Sequence, residues 1–151
     1  MPLVFYWEKE TLERLAMRVI GKPLKFRKYL VVDEGSNVFV YIYRWIIDGR
    51  CPFLSGNLCM IHNDKPISCK IFPLVVDVLG SRIYLTGRCN WVMNHRSDIV
   101  PERIPSIFEE FEMAVKVLAM VREFINFAKS KGWRILCYIS ESEVIDVCSK
   151  D

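Results

Sequence analysis

Between Cys51 and Cys89, four cysteines (Cys51, Cys59, Cys69 and Cys89) stand in thirty-nine residues broken by Pro52, Gly56, Asn57, Asn63, Asp64, Pro66 and Pro73. Seven, nine and nineteen residues separate neighbouring thiols. Such punctuation excludes a long helix or strand through the segment, so regular structure must come from its flanks. The thiols fall in or beside turns, where backbone can wrap an ion. A thiolate is a nucleophile, a metal ligand or half of a disulfide, and the surroundings decide which.

The flanks predict an α+β fold: a small single domain, 1–151, with two β-hairpins, an irregular cysteine-rich loop region and one long packing helix. Leu12, Leu15, Ala16, Val19 and Ile20 recur at helical spacing, and Gly21 and Pro23 stop that helix. Residues 24–32 and 38–47, joined by Asp33-Glu34-Gly35-Ser36-Asn37, read as the first hairpin, with Leu24, Phe26, Leu30 and Val32 on one side. Residues 73–79 and 82–85 flank Gly80-Ser81 as the second. Asp64 is placed to cap a short helix with Pro66 in its first turn. Residues 106–131 read as the long helix, with a Ser106/Glu109 capping box and Gly132 past its end. Its expected apolar stripe includes Phe108, Phe111, Val115, Leu118, Val121 and Ala128. Residues 133–140 alternate as a late strand, and 142–148 read as a short terminal helix.

Composition narrows the partners. Apolar residues make up 52% of the 151, enough for a filled core and against disorder. The net charge of +3, from well-mixed basic and acidic residues, gives no reason to expect a nucleic-acid or membrane partner. An unknown protein partner is the class left open. No run reaches the roughly eighteen apolar residues of a membrane span, and residues 1–8 lack the basic start of a signal peptide. A cytoplasmic location is therefore expected, where clustered cysteines favour metal ligation over disulfides.

Four thiolates suit zinc or an iron–sulfur cluster. The spacing is not the doubled Cys-x-x-Cys of zinc ribbons, and burial as small hydrophobes or disulfide pairing are the competing readings. The runs Cys51-Pro52-Phe53-Leu54, Cys59-Met60-Ile61-His62, Lys65-Pro66 and Cys69-Lys70-Ile71-Phe72-Pro73 resemble the zinc- or iron-chelating domain family of YkgJ-type cysteine-cluster proteins over about a third of the chain. His62 stands where that family usually has Tyr, Lys65 and Lys70 where it has Arg, and residues 1–10 lack its N-terminal cysteines. The resemblance implies Cys51, Cys59, Cys69 and Cys89 as metal ligands. Zinc is the expected cofactor, with an iron–sulfur cluster as the alternative.

The remaining candidates are weaker. His62 is expected to pack and hydrogen-bond locally rather than ligate, and His95 to be exposed or capping. Cys137 is expected in the core beside Ile135 and Ile139; a Cys137–Cys148 disulfide is the other reading. Lys22, Lys25, Arg27 and Lys28, interleaved with Phe26 and Tyr29, form a basic strand that either lies along phosphates or is a solvated face. Arg50, Lys65 and Lys70 add positive charge near the thiols.

No phosphate loop, nucleophile elbow or His-Glu-x-x-His helix occurs, so no catalytic constellation is recognisable. The expected function is a metal-binding protein with a structural or interaction role. Some members of the family resemble flagellin lysine methylases, which implies an alternative: an iron–sulfur enzyme or a component of a methylase-like, protein-modifying system. A metal-free, disulfide-stabilised domain is the third reading.

Overall fold

The computed structural model describes residues 1–147. In chain order the first elements are β1 (Leu3–Phe5), α1 (Tyr6–Val19), β2 (Lys25–Asp33), β3 (Val38–Ile46), β4 (Leu54–Ser55) and β5 (Leu58–Cys59). After a 3-10 turn at His62–Asp64 come α2 (Ile67–Lys70), β6 (Leu74–Asp77), β7 (Arg82–Leu85) and α3 (Asn90–Asn94). A second 3-10 turn at Pro101–Arg103 leads to α4 (Ile104–Ile107), α5 (Phe111–Ser130), β8 (Arg134–Tyr138) and β9 (Val144–Asp146). The chain is α+β, 36% helical and 28% strand. Two compact units divide it: Met1–Ile67 with Ala128–Asp151, and Ser68–Phe127.

The first unit is built on a five-stranded antiparallel sheet of order β1-β3-β2-β8-β9. The hairpin expected at 24–47 is its centre. Simple alternation describes only part of β2, because the register shifts around Tyr29. Beyond that bulge β2 is flanked by β3 and β8 together, and Tyr29, Leu30, Val31 and Val32 are all buried. Helix α1 packs against β1 and β3 through Leu12, Leu15 and Ala16. Its N-terminus is closed by Glu8, whose Oε2 accepts the Phe5 N–H at 3.0 Å while Oε1 accepts the Ile67 N–H at 2.7 Å. One carboxylate thus satisfies a helix-end donor and holds the first residue of α2.

The second unit holds the second expected hairpin, β6 with β7, and a core that includes Ile71, Leu74, Val76, Val92, Phe108 and Val121. The long helix differs from its expectation at the start. Residues 104–107 form a separate turn, α4, in which the Ser106 hydroxyl donates back to the Arg103 carbonyl at 2.8 Å instead of capping residue 109. Phe108 then takes an extended conformation and is buried edge-on to Trp91, with ring centroids 5.9 Å apart. Burying that ring breaks the helix, which begins afresh at Phe111. The buried face is also rotated: Ala114, Val117 and Val121 are inside, whereas Val115 is 42% exposed.

Two other local expectations change. Asp64 lies inside the 3-10 turn, and the short helix starts only after Pro66. The helix expected over 142–148 is instead β9 over Val144–Asp146, because these residues find hydrogen-bonding partners on β8. Cys148 lies outside the described residues. No helix among the described residues is long and apolar enough to cross a membrane.

Candidate metal centre

Cys51 and Cys59 are brought together by a miniature hairpin. Cys51-Pro52-Phe53-Leu54 folds into a turn in which the Leu54 N–H donates to the Cys51 carbonyl at 3.1 Å. Strand β4 then pairs with β5, Leu54 opposite Cys59 and Ser55 opposite Leu58. The two-residue loop Gly56–Asn57 puts its positive φ, 59°, at the first position, which matches the twist of a two-residue hairpin and which glycine adopts without steric cost. The Arg50 guanidinium donates to the Gly56 carbonyl and ties the loop tip to its base. The Met60 N–H donates to the Phe53 carbonyl at 2.8 Å and continues the pairing past Cys59.

Phe53 holds this hairpin to the body of the first unit. It is fully buried, with its ring 5.7 Å from that of Trp45, itself 2% exposed. The thiol-bearing turn is therefore braced by an aromatic core contact, although the turn itself is at the surface. Both thiols are half-buried.

Electrostatics tie the two sulfurs into one group. Burial pushes the Cys51 thiol up from its ordinary value; the Phe53 N–H, donating to its sulfur, pulls it down, and the neighbouring Cys59 pushes it up again. The partly desolvated Cys51 thiol therefore resists ionising beside Cys59. A cation held by both would remove that penalty, and the N–H already aimed at Cys51 favours its thiolate form.

Cys69 and Cys89 belong to the second unit. Cys69 is on α2 and Cys89 is the residue before α3, its carbonyl accepting the Met93 N–H at 3.0 Å. Both are half-buried thiols. Among the described residues, no three His, Cys, Asp or Glu side chains are grouped so as to hold a metal ion. Of the expected quartet, Cys51 and Cys59 thus lie in the first unit and Cys69 and Cys89 in the second.

His62 is exposed in the 3-10 turn after β5. His95 ends α3, stacks on Trp91 with centroids 4.6 Å apart, and places Nδ1 2.9 Å from the Trp91 carbonyl. That is the exposed, capping position expected for it. Cys137 is fully buried on β8, as expected, and its thiol hydrogen-bonds the Tyr29 hydroxyl. Sequence reasoning missed this last contact and also the bracing role of Phe53. The hairpin itself had a signal, a Gly-Asn pair between Leu54 and Leu58.

No protein-family model, curated protein or solved structure matches the chain.

Proposed function

We propose that this is a metal-binding protein whose thiolate ligands are led by the Cys51–Cys59 pair, with a structural or interaction role. The observation that carries the reading is the hairpin: two thiols in mutual electrostatic contact, an N–H directed at one sulfur, and a buried Phe53 bracing the turn between them. A structure that places two half-buried thiols side by side without joining them suits a soft or borderline cation. The motif resemblance supplies Cys69 and Cys89 as the other two ligands.

Zinc is the ion proposed. It accepts four thiolates, and it would lower the ionisation cost of each by its charge. Binding would release thiol protons and would contribute folding free energy, on the order of ten kcal/mol for structural zinc sites. An iron–sulfur cluster is the competing occupant for the same thiols. Arg50 beside the hairpin would offset part of the negative charge that a thiolate site carries.

Elemental analysis of protein purified without oxygen tests the reading. One equivalent of zinc in colourless protein is expected. Iron with sulfide and visible absorbance would reassign the thiols to a cluster. Metal-free protein with fewer than six titratable thiols under denaturing conditions would replace the reading with a disulfide-bonded domain.

A further inference from the structure

The first unit carries a pocket of about 310 Å³ lined by, among others, Arg27, Lys28, Arg44, Ile46, Ile139 and Glu141. We propose that this pocket binds a small organic anion, an oxyanion head carried on a short apolar body. This would be a binding site independent of the thiols.

The bulge at Tyr29 creates the space. Strand β2 pairs with β8 only from Leu30 onward, opposite Cys137, so residues 25–28 leave the sheet's β8 side open. The chain leaving β8, from Ile139 to Glu141, forms the opposite wall. Bulges commonly re-aim side chains next to functional sites.

The charge pattern points to the ligand. Arg27 and Arg44 are direct cross-strand partners, an arrangement of like charges that costs stability unless something neutralises it. Lys28 adds a third cation and has no ion-pair partner among the described residues. Against these three the lining offers one carboxylate, Glu141, which pairs with Arg27 at 2.9 Å. Two positive charges are left over.

Arg44 is held ready. Its guanidinium carbon lies 4.3 Å from the centre of the Tyr29 ring, and Nη1 donates to the Ile139 carbonyl at 2.7 Å. Stacking and one hydrogen bond fix the plane of the fork while leaving other N–H donors for a carboxylate or phosphate. Ile46 and Ile139 supply apolar wall. The volume is at the small end for ligand pockets, which suits a compact molecule.

Titration of ¹⁵N-labelled protein with phenyl phosphate, and separately with benzoate and benzyl alcohol, tests this. Saturable shifts centred on residues 27–28, 44 and 139–141 are expected with at least one of the two anions and not with the neutral alcohol; which anion binds more tightly identifies the head group. Arg44→Gln is expected to weaken binding about tenfold, the equivalent of one charged hydrogen bond. The exposed Lys28→Gln, which leaves the Tyr29 stack and the Ile139 contact in place, is expected to weaken it about threefold. No saturation with either anion up to about 10 mM, equal binding of the alcohol, or unchanged affinity in folded Lys28→Gln and Arg44→Gln would overturn the proposal.

Discussion

Replacing Glu8 should show how far a single carboxylate holds the first unit together. Its two oxygens accept two backbone N–H groups fifty-nine and three residues away, from Ile67 at 2.7 Å and Phe5 at 3.0 Å. Hydrogen bonds to a charged acceptor contribute roughly 1.5–3 kcal/mol each. Both are only part-buried, so water can replace some of what is lost, and the lower end of that range applies. Glu8→Ala should therefore cost about 3 kcal/mol. Glu8→Gln keeps one good acceptor and should cost about half as much. For a chain of this size about 3 kcal/mol lowers the melting temperature by about 6–12 °C. Urea and thermal unfolding followed by circular dichroism measure the total, and amide hydrogen exchange at Phe5 and Ile67 isolates the local effect. If Glu8→Ala unfolds within about 0.5 kcal/mol of the unsubstituted protein and both amides stay as protected as before, the carboxylate is not the tie described.

Three further substitutions follow from the same structure. Phe53→Ala should cost about 3–5 kcal/mol, because it opens a cavity against Trp45; denaturant unfolding measures it, and a loss under about 1 kcal/mol would show that the hairpin is not braced there. Tyr29 ionises at a higher pH folded than unfolded, chiefly through burial and then through Cys137, with Arg44 opposing. Its contribution to stability is therefore complete below the ordinary tyrosine value of 10.0 and is lost as pH rises above it. Unfolding curves recorded from pH 9 to about 11 should fall less steeply for Tyr29→Phe than for the unsubstituted chain, and equal slopes would refute the assignment. Gly132 follows α5 with φ of 71°, so Gly132→Ala should cost about 1 kcal/mol in a thermal melt, whereas an unchanged or raised melting temperature would contradict the need for glycine there.

What the sequence made legible was whatever local pattern decides. The central hairpin was readable because β-branched and aromatic residues flank a polar turn at 33–37. Gly132 marked the end of α5 for the same kind of reason. The misses were decided by partners distant in the chain. Phe108 breaks the long helix because its ring is buried against Trp91, seventeen residues earlier. Residues 144–146 form a strand because β8 offers them a ladder, a choice that three apolar-rich residues cannot announce by themselves. The thiols divide in the same way. Cys51 and Cys59 are close through a hairpin inside what reads in sequence as an irregular loop, although Gly56–Asn57 marks its turn locally. By contrast, no sequence spacing reveals how Tyr29, Arg44 and Cys137 meet across three strands.

Cobalt(II) titration under anaerobic conditions tests the thiol reading most directly, because thiolate coordination to cobalt gives a charge-transfer band that other ligands do not. The account predicts a band that saturates near one equivalent. It also predicts that the band is abolished in Cys51→Ser/Cys59→Ser and kept in Cys137→Ser, whose thiol is buried and bonded to Tyr29. No band in the unsubstituted protein, or an undiminished band in the folded double variant, would contradict it.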